Sequence, residues 1–185
     1  PQIAKLLRDH NIAHTTVFTE HKFHATELAV EAVTKGFRRI IVVGGDGTLN
    51  EVVNGLLIQT LVAPKEILLA VIAVGTGNDW VRTFGTPARY SEAIRAICEG
   101  HSFLQDVGKV TYTESKFRQT RYMANVAGLG FDAYVISIFN HWKAKGYKGK
   151  WLYIMGILRA YFSYKSTGVC VELDGEQIFN NLLFS

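Results

Sequence analysis

Two glycine-rich segments with matching aspartates contain the residues of this sequence that could do chemistry. The first, GGDGT, covers residues 44–48, and the second, GTGND, covers residues 75–79. Each follows an apolar run, so we expect both at the carboxyl ends of buried parallel strands, where open α/β sheets bind ligands. Glycine lets backbone N–H groups approach a phosphate, and the helix that follows adds further donors.

The aspartates in these segments need a separate explanation, because a carboxylate repels a phosphate unless a cation lies between them. We expect Asp46 and Asp79 to hold Mg²⁺ or a water molecule, or to accept a proton from a hydroxyl group. Phosphate donors and carboxylates in one crevice are what phosphoryl transfer requires. A purely structural alternative stays open, because glycine turns also serve packing, and Thr48 and Glu51 fit a T-x-x-E capping box.

The elements around these segments alternate between helix and apolar strand, which predicts a parallel sheet covered on both faces. Helices are expected at residues 2–10, 25–35, 49–58, 79–84 and 91–99, and strands at 13–19, 38–43 and 66–74. After Gly100 strand-like segments and two helical stretches, 132–140 and 150–164, follow. Asp174-Gly175 predicts a hairpin turn in the last strand-like segment. We place a domain boundary near Gly100.

Composition narrows the function classes. The chain has 185 residues, 48% of them hydrophobic, and a net charge of +4. This suits one large or two small domains, and the basic bias is too weak to indicate nucleic acid. The longest apolar run, Trp151–Leu158, is too short to span a membrane, so a soluble, cytoplasmic protein is expected. Cys98 and Cys170 are interpreted as small buried hydrophobes.

The six histidines show no zinc spacing,. His21 and His24 are three residues apart, but no thiol or carboxylate cluster is recognised beside them. They are interpreted as residues of a loop and of a helix start.

Four blocks together resemble the diacylglycerol kinase catalytic-domain family, which includes soluble bacterial lipid kinases and the sphingosine and ceramide kinases. The blocks are VVGGDGTLNEVVNGL (42–56), AVIAVGTGNDWVR (70–82), DVGKV (106–110) and NVAGLGFDAYV (125–135). Their order and spacing match the family over nearly the whole chain. GGDGT alone is also shared with NAD kinases and phosphofructokinases, so it would not distinguish these families.

The resemblance implies an α/β fold. A three-layer N-terminal domain with a parallel sheet, as in NAD kinases and phosphofructokinases, would occupy residues 1–99. The start of a β-rich sandwich domain would occupy residues 100–185. The family's first strand and its Asn-Pro-x-x-Gly loop would precede Pro1, and its catalytic base and structural metal site would lie beyond Ser185.

The resemblance also implies an ATP-dependent lipid kinase that uses Mg²⁺. The acidic residues that organise Mg²⁺ and water would be Asp46, Asp79 and Asp106. The nucleotide contacts would be Thr19, Gly45, Asp46, Gly47, Thr48, Leu49, Asn50, Glu51 and Thr76. Two departures stand out: Phe23 replaces a glycine that usually precedes His-Ala, and Trp80-Val81 replaces Phe-Ala.

The expected activity is transfer of the γ-phosphate of ATP to a lipid hydroxyl, such as that of diacylglycerol, at a membrane surface. The 185 residues alone are expected to be inactive and to self-associate through residues 169–184. Two alternatives stay open: a module that binds a nucleotide or an anionic lipid without turnover, and a NAD-kinase-like activity. The lysine- and aromatic-rich stretch 141–165 is either a peripheral membrane patch or a solvated loop followed by a packed helix.

Overall fold

The chain forms two compact units in a computed structural model that describes residues 2–75, 77–147 and 151–183. The first unit spans Pro1–Val126 and the second spans Ala127–Ser185. The first contains α1 (Gln2–Asp9), α2 (His24–Thr34), β1 (Arg39–Gly44), α3 (Asp46–Ile58), β2 (Leu68–Ala73), α4 (Asp79–Thr83), α5 (Tyr90–Glu99), β3 (Gly108–Glu114) and β4 (Phe117–Met123). The second contains α6 (Phe131–Ala144), α7 (Trp151–Ser163), β5 (Thr167–Leu173) and β6 (Glu176–Leu183). The domain boundary expected near Gly100 stays a prediction.

The first unit has three layers around a parallel sheet. Strands β1 and β2 pair in parallel, with Arg39 opposite Leu68 and Gly44 opposite Ala73. Successive side chains of a strand point to opposite faces, so each strand contributes to two cores. One core packs the sheet against α2 and α3, and the other packs it against α1 and α5. The predicted α/β architecture with a parallel sheet is confirmed.

Helices α2 and α3 approach each other closely because small residues face each other. A methyl group added at Gly55 would lie 2.5 Å from the carbonyl oxygen of Thr26 and 2.8 Å from the Cβ of Ala29. The Thr26 hydroxyl donates to the carbonyl oxygen of Glu51 at 2.9 Å. This contact fixes the position of α3, whose first turn belongs to the GGDGT segment.

Two asparagines of α3 attach the hairpin β3–β4 to this helix. Asn54 donates to the carbonyl oxygen of Tyr122 at 2.8 Å and accepts from the Tyr122 N–H at 2.9 Å. It also donates to the carbonyl oxygen of Asn50 at 2.8 Å, and Asn50 Oδ1 accepts from the Ala124 N–H at 3.1 Å. The chain that leaves β4 is thereby held beside the start of α3.

The second unit combines a helix pair with the hairpin β5–β6. The hairpin turns at Asp174-Gly175, whose φ angles of 51° and 88° are those of the predicted tight turn,. Helices α6 and α7 pack together around Val135 and Ala160. The other side of α7 is apolar and exposed, with Trp151 at 74% and Phe162 at 84% exposure. None of the helices in the described residues has the length and apolarity that crossing a bilayer requires.

Three local expectations are wrong. Residues 13–19 form no strand, because a strand needs hydrogen bonds from a neighbour and no described strand pairs with them. Thr48 is not a helix cap, because α3 begins two residues earlier with Gly45 at its N-cap. Cys98 and Cys170 are exposed, not buried.

Replacing Asn54 with alanine is expected to destabilise the first unit by about 1–3 kcal/mol, because the backbone groups of Tyr122 lose both partners. Urea unfolding monitored by circular dichroism would measure this loss. Asn140→Ala on the exposed side of α6 is the matched control and should leave stability nearly unchanged. Equal stability of the two variants would show that Asn54 does not attach the hairpin.

Candidate functional site

The two glycine segments meet at the carboxyl edge of the parallel sheet, as the alternation of strands and helices predicted. A methyl group added at Gly75 would lie 2.8 Å from Gly45 Cα, and one added at Gly45 would lie 3.2 Å from Gly75 Cα. A methyl group at Gly75 would overlap Gly45, and one at Gly45 would need its neighbour to shift by a few tenths of an ångström. The contact between the segments therefore favours glycine at both positions.

The carboxylate of Asp46 joins the segments by hydrogen bonds. Its Oδ2 accepts from the Asp79 N–H and its Oδ1 accepts from the Trp80 N–H, both at 3.1 Å. These are backbone donors in the first turn of α4, which has no capping bond from its own N-cap residue, Asn78. Asp46 thus caps α4 from the other segment, which is a stabilising position for a negative charge.

Asp46 and Asp79 border the same small space. A methyl group added at Gly77 would lie 3.3 Å from Asp46 Oδ2 and 3.9 Å from Asp79 Oδ2. Each oxygen of Asp46 receives one of these hydrogen bonds, and a carboxylate has about four acceptor positions, so both oxygens retain acceptor capacity. Arg82 approaches Asp79 Oδ1 at 3.4 Å, but both side chains are exposed, so this pair contributes little,. The donor set fits a hard divalent cation that retains several water ligands.

Asn78 lies at the centre of the junction in a left-handed conformation, with φ of 55°. Its Nδ2 donates to the carbonyl oxygen of Gly75 at 2.6 Å. Its Oδ1 is buried and accepts no hydrogen bond from the described residues. A buried acceptor without a donor is destabilising, and such groups occur at functional sites. The close contact between the segments therefore leaves one buried acceptor without a donor among the described residues.

Gly47 differs from the other two glycines of its segment. A methyl group at Gly44 would meet the Thr48 side chain at 2.7 Å, and one at Gly45 would meet Gly75, but one at Gly47 would have no atom of the described chain within 4 Å. Gly47 lies in the first turn of α3, where backbone N–H groups lack intrahelical acceptors,. Packing in the described chain does not explain this glycine, and the space beside it is open to a ligand.

A cavity of about 220 Å³ lies beside this turn. The residues that line it belong to both glycine segments and to the chain after β4: Asp46, Leu49, Asn50, Asp79, Ala124, Asn125 and Val126. Sites for small molecules usually measure about 300–1,000 Å³. This cavity therefore has room for part of a nucleotide, such as its phosphates, and for a cation.

A larger cavity of about 530 Å³ lies at the end of β2. It is bordered by α1, by residues 73–75 and by the start of α5 at residues 88–91. Among the described residues of the two glycine segments, only Gly75 lines it, and neither Asp46 nor Asp79 does. It is the competing location for any ligand that binds at this edge of the sheet.

Trp80 stands where the family pattern has phenylalanine, and its indole N–H, which phenylalanine lacks, makes a hydrogen bond. Its Nε1 donates to Gln105 Oε1 at 2.9 Å, and Gln105 Nε2 donates to the carbonyl oxygen of Ala124 at 2.6 Å. Gln105 therefore connects α4 to the chain that lines the smaller cavity. Asp106, the next residue, is exposed and is not among the cavity's lining residues.

The remaining suggested residues lie in different surroundings. Leu49 is only 2% exposed and packs in the core. Asn50 Oδ1 accepts a hydrogen bond from the Ala124 N–H, and the Glu51 carbonyl oxygen accepts one from the Thr26 hydroxyl. Thr19 is exposed in the segment without strand pairing. Thr76 lies outside the described residues.

Sequence reasoning missed the side chains that assemble the site. Asn54 and Gln105 each hold two segments together through an amide group, and Asn78 closes a turn within the second glycine segment. Asn54 and Gln105 bridge residues that are distant in sequence, so no local spacing reveals them. Asn78 could have been found, because an asparagine directly before a helix after two glycines favours a left-handed cap.

The model of the diacylglycerol kinase catalytic domain matches residues 1–110. A diacylglycerol kinase from Staphylococcus carnosus is 32% identical over 165 residues, which are 89% of this chain and 50% of that protein. A diacylglycerol kinase from Staphylococcus aureus is 33% identical over 157 residues, or 85% of this chain and 46% of that protein. The chain thus spans about half the length of the curated relatives it matches.

A solved structure is also similar. A crystal structure assigned as a diacylglycerol kinase from Bacillus anthracis superposes with a TM-score of 0.53 and 25% sequence identity, over 88% of this chain and 47% of that one. The fold, the paired glycine segments and the match over residues 1–110 all indicate the same family. The chain belongs to the diacylglycerol kinase catalytic-domain family.

Proposed function

We propose that this chain supplies the phosphate-binding part of an ATP-dependent lipid kinase that transfers the γ-phosphate to a lipid hydroxyl, such as that of diacylglycerol. One observation carries the proposal. The Asp46 carboxylate joins the two glycine segments, and Gly47 of the first segment adjoins open space that packing in the described chain does not explain. Family membership supports the same reaction class.

The first turn of α3 is proposed to hold the phosphates. The N–H groups of Gly47 and Thr48 belong to this turn, where donors without intrahelical partners and the helix dipole favour an anion,. The α3 axis is fixed by its contacts with α2 and β4. The donors are therefore ordered before a ligand binds, which reduces the entropic cost of binding.

Asp46 and Asp79 are proposed to hold Mg²⁺, and the similar role that the family resemblance implies for Asp106 stays a prediction. When bound, Mg²⁺ would neutralise charge that develops on the phosphate oxygens. In the transfer itself the lipid oxygen bonds to the γ-phosphorus, and the bond from that phosphorus to the bridging oxygen of ADP breaks. The hydroxyl proton goes to a general base.

The acceptor is proposed to be a membrane lipid. In the second unit, α7 exposes apolar and aromatic side chains, and Arg159 and Lys165 lie on it or just after it. Aromatic and basic residues suit a membrane interface. This composition supports a kinase that acts at a membrane surface. Self-association of the chain stays a prediction.

Asp46→Asn is expected to lower the turnover of the complete gene product by about 10²-fold or more while weakening ATP binding much less. The amide also turns one N–H donor toward a backbone N–H of α4, so a modest loss of stability should accompany it. Radiolabelled ATP and mixed lipid micelles would measure turnover, with Asp9→Asn as the matched control. Wild-type turnover in the Asp46 variant would reject this role.

The variant Gly47→Ala is expected to change ATP binding without changing the packing of the fold. The added methyl group meets no described atom, so stability should be unchanged or slightly higher,. Binding of ATP with Mg²⁺ should weaken by about 10-fold or more, because the methyl group occupies the space proposed for phosphate. Calorimetry with the complete gene product would test this.

The matched control is Gly75→Ala, which should destabilise the fold, because its methyl group meets Gly45 at 2.8 Å,. Unchanged ATP affinity in a stable Gly47→Ala protein would contradict the proposed phosphate site. ATP binding without any phosphorylated lipid would instead favour a binding module without turnover.

A further inference from the structure

The loop before α2 and the first turn of α2 bring three side chains with metal-binding atoms together. One ligand atom from each of His21, His24 and Glu27 lies within 4.8 Å of the other two. In the described residues this is the one such group of three. We propose that His21, His24 and Glu27 form a binding site for a divalent transition-metal ion of the zinc class.

The spacing of the three ligands explains why they meet. His24 begins α2 and Glu27 follows it by three positions, so both lie on the same face of the first turn,. His21 joins them because Phe23 adopts a left-handed conformation, with φ of 66°, that turns the chain back on the helix. The rings of His21 and His24 then lie parallel, with centroids 4.3 Å apart.

The left-handed turn at Phe23 is held by two cations. Lys22 Nζ lies 4.7 Å and Arg121 Cζ 4.6 Å from the centroid of the Phe23 ring, both at cation–π distance,. The Arg121 contact connects the loop to β4. The ammonium group of Lys22, the residue after His21, lies over the Phe23 ring. The conformation that gathers the ligands therefore has its own support.

The chemistry of the three ligands matches a divalent ion. Two neutral imidazoles and one carboxylate carry a net charge of −1, and imidazole ligands suit zinc, copper and nickel. Two histidines and a glutamate, with a position left for water, are a known zinc ligand set. Metal bonds of about 2.0–2.1 Å place tetrahedral ligands about 3.3 Å apart, so small side-chain rotations must bring these atoms closer.

The hydrogen bonds of the two histidines indicate what binding would change. His21 Nδ1 lies 3.1 Å from the Lys22 carbonyl oxygen, which can accept its proton and leave Nε2 free for a metal,. His24 Nδ1 accepts from the Glu20 N–H at 2.9 Å. Ligation through Nδ1 displaces this N–H, and ligation through Nε2 moves the ring proton to Nδ1. Either way the Glu20 N–H loses its acceptor.

Zinc titration of the untagged chain tests the proposal. Calorimetry should show one Zn²⁺ per chain, and His21→Ala, His24→Ala and Glu27→Gln should each weaken binding by about 10-fold or more. His101→Ala, an exposed histidine outside the cluster, should leave the affinity unchanged. All four substitutions remove exposed or half-buried side chains, and circular dichroism verifies that each variant is folded.

An NMR measurement gives a second, independent readout. The Glu20 amide resonance of the folded chain should shift on addition of Zn²⁺ and should not shift in Glu27→Gln at the same concentration. No uptake of Zn²⁺, or uptake that all three ligand variants leave unchanged, would overturn the proposal. Uptake without any change at the Glu20 amide would overturn the ligation of His24.

Discussion

The bond between the Asp46 carboxylate and the two N–H groups at the start of α4 is the constraint on which the rest of the site depends. It is the polar link between two segments that follow different strands. Gly45 and Gly75 make room for it, because any side chain there would force the segments apart. Parallel pairing of β1 and β2 places both segments at one edge, and the carboxylate then fixes their separation.

This arrangement assigns two tasks to one carboxylate. Capping α4 orients Asp46 before any ligand is present, so that it points at the same space as Asp79. The same charge would favour a cation in that space and oppose a phosphate without one. A phosphate group would therefore bind with its metal ion. The Asn78 Oδ1, which is buried and receives no hydrogen bond from the described residues, is one local cost of bringing the segments together,.

The sequence predicted the large features because they depend on local patterns. Apolar runs identified β1 and β2, and alternation with helices predicted the parallel sheet and its layers. Asp174-Gly175 predicted a hairpin turn because only a few residues tolerate its backbone angles,. Residues 13–19 have the composition of a strand, but composition does not reveal whether a pairing partner exists.

The contacts that assemble the site could not be predicted from local sequence patterns, because they join residues far apart in the sequence. Asn54 meets Tyr122 across 68 residues, and Gln105 connects Trp80 to Ala124. The cluster of His21, His24 and Glu27 was missed for a different reason. The turn that joins them requires a left-handed Phe23, a conformation that is disfavoured for a bulky residue and so is not expected from sequence,.

The central claim is that the first turn of α3 and the Asp46 junction form one phosphate site. Amide chemical shifts of the folded chain on titration with ATP and Mg²⁺ test it most directly, since they detect weak binding residue by residue. The account predicts that the amides of Gly47, Thr48, Asn50 and Asp79 shift together. Shifts confined to Tyr90 and Ser91, beside the larger cavity, would contradict it.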